Sequence, residues 1–545
     1  MKQNYKVFVA ADKTTIFYKV TVDDYNKLLE NNITTDYKKT TESKVKTIAK
    51  GDKKIATDLD LEDRIYQTTK REAFITLKDH KENFNNNPKC RLLNPTKPEI
   101  GKISKKKLEK FITAVKLKTG WKNTQDVLKW FINLKQKHKL SFLQFDIENF
   151  YPSISEELLE KALNYASQFI DISPEDRKII LQSRKSTLHS KGEAWTKKGD
   201  SEFDVTMGSF DGAEICELVG LYLLSLLQDL GMDVGIYRDD GLAVSRKTPF
   251  QMEKLKKKIQ KVFKDNGLNI VISVNLQSVD FLDVTLDLKL GTYKPFVKPN
   301  NTPLYINVKS NHPPPILKNI ALAVNKRLSE ISSNEEIFNN AAPMYQKALK
   351  DSGHNFTLKF NKEDSIKVNS DKQKRKKKRN IIWFNPPFST NVKYRVGEKF
   401  LKLVEKCFPK GSSLYKLFNK NNMKISYKTC ANMKQQIAGH NSKVMKQNET
   451  NKQDPSTIKT CNCQKKSDCP LDNRCLHNDG VVYQATVKQE DGKTDTYIGV
   501  TTSSLAIGTT KNRSKQLNIA QKQSLVPLFL NLSRKKSTIP FHGKY

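Results

Sequence analysis

Long apolar runs are missing from this 545-residue sequence. No stretch approaches the roughly 20 apolar residues that a membrane-spanning helix needs, and the segment that begins MKQNYKVFVAADKTT has no continuous apolar core of the kind found in secretory signals. Acidic residues are also scarce, since 58 Asp and Glu face 96 Lys and Arg, a formal net charge of +38. We therefore expect an intracellular protein with no membrane partner, in which thiols stay reduced.

The excess of positive charge predicts a polyanionic partner. A charge of +38 repels itself unless an opposite charge offsets it. Nucleic acid is the natural partner, because every phosphate that Lys or Arg neutralises releases counterions. A merely soluble basic protein and a protein bound to an anionic membrane surface are the alternatives.

The cysteines are unevenly distributed. The sequence has 8, and half of them fall within fifteen residues, at Cys461, Cys463, Cys469 and Cys475. Four thiolates can enclose Zn²⁺ tetrahedrally, and clustering in a reducing compartment favours metal over disulfides. The Cys-x-Cys-x5-Cys-x5-Cys spacing differs from the usual zinc-finger spacings, and His440 and His477 are possible substitute ligands.

Changes in composition divide the chain into seven segments. Residues 139–290 alternate between strand and helix periods and form the best-defined domain, whereas residues 71–112 are basic, interrupted by Asn and Pro, and predicted to hold little regular structure. The predicted segments are an N-terminal region (1–70), a second segment (71–138), the central domain (139–290), a helical region (291–360), a basic linker and connector (361–455), a cysteine-rich segment (456–480) and a C-terminal piece (481–545).

Two carboxylate motifs lie in the central domain. SFLQFDIENFYPSIS predicts a strand over residues 142–147 that carries Asp146 near its end. VGIYRDDGLAVS predicts a hairpin, because Asp-Gly between β-rich arms is a strong turn signal. That turn would present Asp239 and Asp240 together. Adjacent carboxylates repel each other, and a bound cation relieves the repulsion; a plain solvated turn is the alternative for Asp-Asp-Gly alone.

Between these motifs, TMGSFDGAEICELVGLYLL predicts a glycine-rich turn that leads into a buried helix. Ile215, Leu218, Val219 and Tyr222 lie at i, i+3, i+4 and i+7. We predict that this face belongs to the core. Downstream, LDVTLDL alternates as a half-exposed strand, so Asp283 and Asp287 are interpreted as solvent-facing rather than metal ligands.

The order FDIENFY, TMGSFDGAE, YRDD resembles the palm of reverse transcriptases. The resemblance implies an α+β right-hand polymerase with fingers (71–138), palm (139–290) and a thumb-like helical region (291–360). It also implies two Mg²⁺ ions held by Asp146, Asp239 and Asp240. Residues Asp211 and Glu214 depart from the Gln-Gly-x-x-x-Ser-Pro form of the second motif that is common in this family.

The same resemblance implies a nucleotide-binding set. Tyr151 would lie against the sugar of the incoming nucleotide and exclude a 2′-hydroxyl, and Gly208 would belong to the second palm motif. Arg91, in LKDHKENFNNNPKCRLLNP, matches a triphosphate-contacting Arg, with Lys78 and Lys81 as further candidates. An ordinary half-buried Tyr and a generic phosphate-contacting loop are the alternatives.

Outside the palm, the chain resembles the reverse transcriptases of Penelope-like retroelements. The match rests on FVKPNNTPLYINVKSNHPPPILK, on the cysteine cluster and on Tyr-Ile-Gly near the end. VVYQATV and TYIGVTT resemble the opening of a GIY-YIG endonuclease, which implies functional tyrosines at Tyr483 and Tyr497. Gly508 stands where that family has an Arg, and no Asp or Glu occurs from residue 496 to the end. We therefore expect a small zinc/GIY-YIG-like remnant without cleavage activity.

Together these features predict an RNA-directed DNA polymerase of a mobile element. Its partners would be an RNA template, a DNA primer or target, and dNTPs. The basic run from Lys372 to Arg379 suggests a nuclear location, with a solvated linker as the alternative. A non-catalytic nucleic-acid-binding relic is the competing hypothesis, and an RNA-templated RNA polymerase is a third.

Overall fold

The computed structural model divides the chain into two units, residues 1–445 and 446–545. Each unit is considered by itself. The structure describes residues 5–14, 16–62, 71–79, 81, 83–96, 99–115, 120–199, 202–298, 301–361, 381–392, 395–429, 432–450, 481–488 and 494–501.

The N-terminal region folds as a hairpin followed by two helices. The elements are β1 (Lys6–Ala10), β2 (Phe17–Thr21), α1 (Val22–Asp36), β3 (Tyr37–Lys39) and α2 (Glu42–Asp58). Thr21 and Thr41 cap α1 and α2 by accepting hydrogen bonds from the backbone N–H groups of the first turn. Buried positions on α1 recur every four residues, at Tyr25, Leu29 and Ile33, so this face packs into the core.

The basic segment after residue 70 contains more regular structure than its composition predicts. It forms the hairpin β4 (Phe74–Leu77) and β5 (Cys90–Leu93), then α3 (Ile100–Ala114) and α4 (Thr124–Asn133). The expectation of little regular structure over residues 71–112 is therefore wrong. Asn and Pro fall in the loop between β4 and β5 and directly after β5, and the apolar residues between these stretches pair as strands.

The central domain is a four-stranded antiparallel sheet backed by helices. Its elements, in chain order, are β6 (Ser141–Ile147), α5 (Phe150–Ser153), α6 (Glu156–Ser167), α7 (Pro174–Gln182), β7 (Leu188–Ser190), β8 (Glu193–Lys197), α8 (Gly212–Asp229), β9 (Asp233–Tyr237), β10 (Asp240–Ser245), α9 (Pro249–Asp265) and β11 (Ile270–Leu276). The strand order is β11-β6-β10-β9, and β3, β8 and β7 form a separate sheet. One core cluster joins β6 to α6, α8 and α9.

Helix α8 occupies the centre of this core. Ile215, Leu218 and Val219 are fully buried, and Tyr222 packs against the same cluster. The spacing at i, i+3, i+4 and i+7 predicted this face, and the structure confirms it.

A second small sheet and two helices follow the central domain. They are β12 (Ser278–Phe281), β13 (Val284–Asp287), β14 (Tyr293–Pro295), α10 (Pro314–Glu330) and α11 (Glu335–Asp351). In β13, Val284 and Leu286 are buried as the alternation predicts. Asp283 is half-exposed but not free: it accepts hydrogen bonds from Thr124 and from Arg327 of α10.

Residues 381–429 form a β-α-β arrangement. β15 (Ile382–Phe384) pairs in parallel with β17 (Met423–Ile425), β16 (Pro387–Phe388) pairs in parallel with β18 (Lys428–Thr429), and α12 (Val396–Cys407) connects them. Helix α13 (Met433–Thr450) follows.

Helix α13 returns to the N-terminal hairpin. Its Asn441 donates to the Phe8 carbonyl at 2.8 Å and accepts from the Phe8 N–H at 2.9 Å. Val444 is buried in the same cluster as Val7 and Val9. The end of the first unit therefore supports its beginning.

Beyond α13, the described residues of the second unit form one hairpin. β19 (Val481–Lys488) pairs antiparallel with β20 (Thr494–Thr501). In neither unit is any described helix long and apolar enough to span a bilayer.

Candidate active site

Strand pairing brings the predicted carboxylates together at one end of the two central strands, β6 and β10. Asp240 is the direct partner of Asp146 in the antiparallel pairing of β10 with β6. The Ile147 N–H donates to the Asp239 carbonyl at 3.0 Å. Alternation along β6 buries Phe145 and Ile147 and leaves Asp146 exposed. Carboxylates far apart in sequence thus lie side by side at one end of the sheet because of the strand register.

The hairpin turn precedes the Asp-Gly pair on which its prediction rested. The turn is Arg238–Asp239, with Arg238 in the left-handed region at φ 57°, whereas Asp240 and Gly241 already belong to β10. Glycine is required at position 241 for packing rather than for a turn, because a Cβ atom there would lie 2.0 Å from the Phe145 ring. The Phe145 ring covers this glycine, so Asp-Gly marks a close approach between strands rather than the turn.

Burial and the repulsion between neighbouring carboxylates both act on this site. Burial raises the pKa of Asp240 to about 6, and the charges of Asp239 and Asp146 contribute to the rise. Asp146 is exposed but still partly desolvated. This partial desolvation and the Asp239 charge raise its pKa, whereas Lys13 and Lys81 lower it. A cluster of this kind attracts cations.

The carboxylates are neighbours but do not form a closed ligand set. As the side chains stand, no group of three or more His, Cys, Asp or Glu residues in the described part of the chain lies close enough together to hold a metal ion. The backbone register already places Asp146 opposite Asp240.

Tyr151 lies beside the carboxylates, in the single-turn helix α5. Asn149, in the left-handed region at φ 48°, turns the chain from β6 into this helix. A Cβ atom on Gly212, the first residue of α8, would lie 3.6 Å from the Tyr151 ring. Burial raises the pKa of the Tyr151 hydroxyl to about 12, and Cys216 is among its neighbours. The ring is half-buried and its hydroxyl stays neutral.

Glycine is required twice in the second motif. Gly208 has φ +110°, and a Cβ atom there would lie 2.9 Å from the Asn94 carbonyl oxygen. At Gly212 a Cβ atom would lie 2.8 Å from the Thr206 carbonyl oxygen. The loop from residue 206 to residue 212 is thus closely packed, with Gly208 against the backbone that follows β5.

Asp211, which departs from the usual second motif, has a buried partner. It forms an ion pair with Arg184, and both side chains are almost completely buried. The Ser183 hydroxyl donates to the Asp211 carboxylate at 2.8 Å. Asp211 stands at the N-cap of α8 but makes no side-chain cap bond, so its carboxylate serves Arg184 instead. Glu214 pairs with Lys105 at 2.8 Å.

The predicted fingers cations lie on the β4–β5 hairpin. Arg91 is on β5, opposite Thr76, and its guanidinium lies 3.0 Å from the Asp12 carboxylate. Partial burial and the Arg91 charge lower the pKa of Lys78. Lys81 is near enough to influence Asp146.

Sequence reasoning missed three residues of this site. Asp12 and Lys13 lie in a region with no readable motif, and Lys298 belongs to the stretch FVKPNN, which indicates a family resemblance but no role for this lysine. Lys13 and Lys298 both lower the pKa of Asp240, against the larger effects of burial and the neighbouring carboxylates. No local signal distinguishes these lysines from the other basic residues of the chain.

The other predicted sites are described partly or not at all. Cys461, Cys463, Cys469 and Cys475 lie outside the described residues, as does the basic run at 372–379. Tyr483 pairs with Gly499, and Tyr497 pairs with Ala485, in the backbone register of the C-terminal hairpin. The two tyrosines are therefore at diagonally adjacent positions.

Comparisons with known proteins concern the fold. No family model and no curated protein matches the chain. Among solved structures, it is similar to telomerase from Candida albicans in complex with the TWJ fragment of telomeric RNA, at 11% identity and a TM-score of 0.42, over 64% of this chain and 63% of that one. It is also similar to apo telomerase from Candida tropicalis, at 12% identity and a TM-score of 0.38, over 64% of this chain and 65% of that one. A third similar structure is the RNA-dependent RNA polymerase of a human picobirnavirus, at 9% identity and a TM-score of 0.38, over 64% of this chain and 80% of that one.

The chain spans less than two thirds of the length of these two telomerases. The proposals that follow depend on the geometry of the site and on the sequence motifs.

Proposed function

We propose that this protein is an RNA-directed DNA polymerase that extends a DNA primer by two-metal nucleotidyl transfer. The observation that carries the proposal is the register of the central sheet. It sets Asp146 directly opposite Asp240 and brings the Asp239 carbonyl to the backbone of Ile147. A strand-end carboxylate beside a paired-carboxylate hairpin is an arrangement suited to two cations and a phosphate chain.

The donor set suits Mg²⁺. It consists of carboxylates alone, and Mg²⁺ prefers oxygen ligands. When bound, two such ions about 3.5–4 Å apart would activate the primer 3′-hydroxyl and neutralise the leaving pyrophosphate. Asp146, Asp239 and Asp240 would hold them, and the mutual repulsion of the three carboxylates favours that binding.

The residues around the carboxylates would orient the nucleotide. Tyr151, held against the start of α8, presents a ring beside the site and would exclude a ribose 2′-hydroxyl. Arg91 and Lys78 would contact the triphosphate, where cations offset charge that develops on phosphate oxygens. Gly208 keeps the second motif close to the fingers.

The remaining partners and setting follow from the sequence resemblance. The net charge of +38 supports binding of an RNA template and a DNA primer. A Penelope-like mobile element, a nuclear location, a Zn²⁺ bound by the four clustered cysteines and a C-terminal GIY-YIG remnant around Tyr483 and Tyr497 stay predictions.

A second candidate function is a non-catalytic nucleic-acid-binding relic. The absence of any Asp or Glu after residue 495 favours it, because it suggests that the C-terminal region has decayed. The intact carboxylate trio favours the polymerase.

Primer extension on an RNA template with Mg²⁺ and dNTPs tests the proposal. We expect Asp239→Asn to abolish synthesis and to leave template binding nearly intact, since a metal ligand is lost while the basic surface stays. The matched control is Asp229→Asn, at the exposed end of α8. Extension by Asp239→Asn at the wild-type rate would show that the metal site is elsewhere, and extension by neither the variant nor the wild type would favour the relic. Faster use of NTPs than dNTPs would indicate an RNA polymerase.

A further inference from the structure

Two hydrogen bonds anchor the loop at the tip of the N-terminal hairpin to the end of β4 and the residues that follow it. The Asp12 N–H donates to the Leu77 carbonyl at 2.8 Å. The Thr14 hydroxyl donates to the Asp79 carboxylate at 2.6 Å. Lys13 stands between these two anchored residues, so the backbone that carries it is held against the end of β4.

Asp12 also controls Arg91. The side chain of Asp12 is only 6% exposed, and its carboxylate lies 3.0 Å from the Arg91 guanidinium, which is 34% exposed. A buried carboxylate needs a paired cation. Within the described residues, Asp12 Oδ2 and Arg91 Nε are buried without a hydrogen-bond partner, so the pair uses only part of the capacity of either group. Arg91 is oriented by this contact and retains donors for a further anion.

The charge of Lys13 acts on the carboxylate site. Lys13 is exposed. Its ammonium group is close enough to Asp146 and Asp240 to interact electrostatically with both carboxylates. Lys13 is also close to Lys298, whose pKa is lowered by desolvation and then by Lys13. Two neighbouring lysines beside a carboxylate cluster can bind a polyanion, such as a phosphate chain, that extends from the lysines to the carboxylate site.

We propose that the loop 12–14 is part of the nucleotide-binding site, in which Asp12 positions Arg91 and Lys13 contacts the terminal phosphates of the incoming nucleoside triphosphate. This inference rests on the proposed polymerase function and deepens it. It assigns an N-terminal element, outside the fingers segment and the palm, to substrate binding. Because the contact is to phosphates, it acts equally on all four bases.

Steady-state primer extension separates this role from a structural one. We expect Lys13→Ala to raise the KM for each dNTP about tenfold or more, which is the range for losing a charge-assisted hydrogen bond, with little change in affinity for the primer–template. Lys19→Ala is the matched control, because Lys19 is exposed on β2 of the same hairpin. Equal KM values for Lys13→Ala and Lys19→Ala would overturn the role of Lys13.

The positioning role of Asp12 has its own test. Asp12→Asn keeps the shape of the side chain and removes the charge that orients Arg91. We expect it to raise the KM for dNTPs in the wild-type background and to have little further effect in Arg91→Ala. Independent, multiplicative effects of the two substitutions would overturn the positioning role.

Binding of inorganic tripolyphosphate, measured by titration calorimetry on the full chain without primer, decides the matter if no variant extends a primer. Binding that is weakened by Lys13→Ala and not by Lys19→Ala would support this site while the polymerase proposal fails. Binding that ignores both substitutions, or no binding by the wild type, would overturn the site.

Discussion

Asp240 shows how a single residue combines a functional role with a stability cost. Burial and the neighbouring carboxylates raise its pKa from 3.8 to about 6. Because the pKa is raised in the folded state, the folded protein favours the protonated acid. That contribution to stability is present at low pH and is lost as the pH rises through about 6. At neutral pH the ionised side chain therefore destabilises the fold.

Asp240→Asn should raise the free energy of unfolding at about pH 8 by about 1–2 kcal/mol, a value reduced for partial exposure. The gain should shrink as the pH falls to about 4.5, where the folded wild type is protonated. Denaturant unfolding at the two pH values measures it. Asp52, whose pKa burial also raises to about 6, supplies the comparison: Asp52→Asn should gain stability with the same pH dependence but keep polymerase activity. A loss of stability in Asp240→Asn at the higher pH would contradict the argument.

Tyr151 is the residue whose ring separates deoxynucleotides from ribonucleotides in the proposed site. Tyr151→Ala should admit NTPs more readily, because the ring beside the sugar position is removed. Tyr151→Phe should discriminate as the parent does, since the ring remains and only the hydroxyl near Cys216 is lost. Competing incorporation of dNTP and NTP measures the effect. Unchanged discrimination in an active Tyr151→Ala would rule out the role.

At the scale of elements, the loop that leads into α8 depends on the buried ion pair between Asp211 and Arg184. The pair joins the start of α8 to the residues just after α7, while Gly208 of the same loop packs against Asn94. The second motif is thereby held from two sides. Removing one partner of such a pair leaves a buried charge without compensation.

Asp211→Asn should destabilise the protein by about 3–5 kcal/mol, the usual cost of breaking a buried pair from one side. Glu214→Gln is the matched control: it breaks the more exposed pair with Lys105 and should cost about 1 kcal/mol or less. Thermal or denaturant unfolding of both variants tests this. Similar losses in the two variants would show that the buried pair has no special role in holding the loop.

At the scale of the whole molecule, two units carry different parts of the proposed chemistry. The first unit contains the carboxylate site and is joined end to start by the contact between Asn441 and Phe8, which are 433 residues apart. In the second unit the described hairpin of β19 and β20 bears Tyr483 and Tyr497. Phosphodiester cleavage needs an activated nucleophile and something to neutralise charge on the phosphate. The sequence has Gly508 at the position of the family's Arg and no acid after Asp495.

The full chain should therefore fail to nick supercoiled plasmid in the presence of Mg²⁺ or Mn²⁺. Binding to the plasmid is expected from the net charge and is not a sign of cleavage. The control is Asp239→Asn, which separates any contribution of the polymerase site. Nicking that persists in Asp239→Asn and disappears in Tyr497→Phe would establish an active nuclease and contradict this prediction.

The sequence by itself determined the features that depend on local spacing. The adjacent carboxylates at residues 239 and 240 are read directly from the sequence. Strand alternation around Asp146 and the buried face of α8 follow from periods of two and 3.6 residues. These periods involve only a few neighbouring residues, so they can be recognised without a structure. The tertiary structure decided what depends on residues far apart in the chain. The turn lies before Gly241, and Phe145 from another strand excludes a side chain at that glycine. The pairing of Asp211 with Arg184, and the approach of Asp12 and Lys13 to Arg91 and the carboxylates, likewise join distant segments. Packing between distant segments creates these contacts, and no local pattern encodes them.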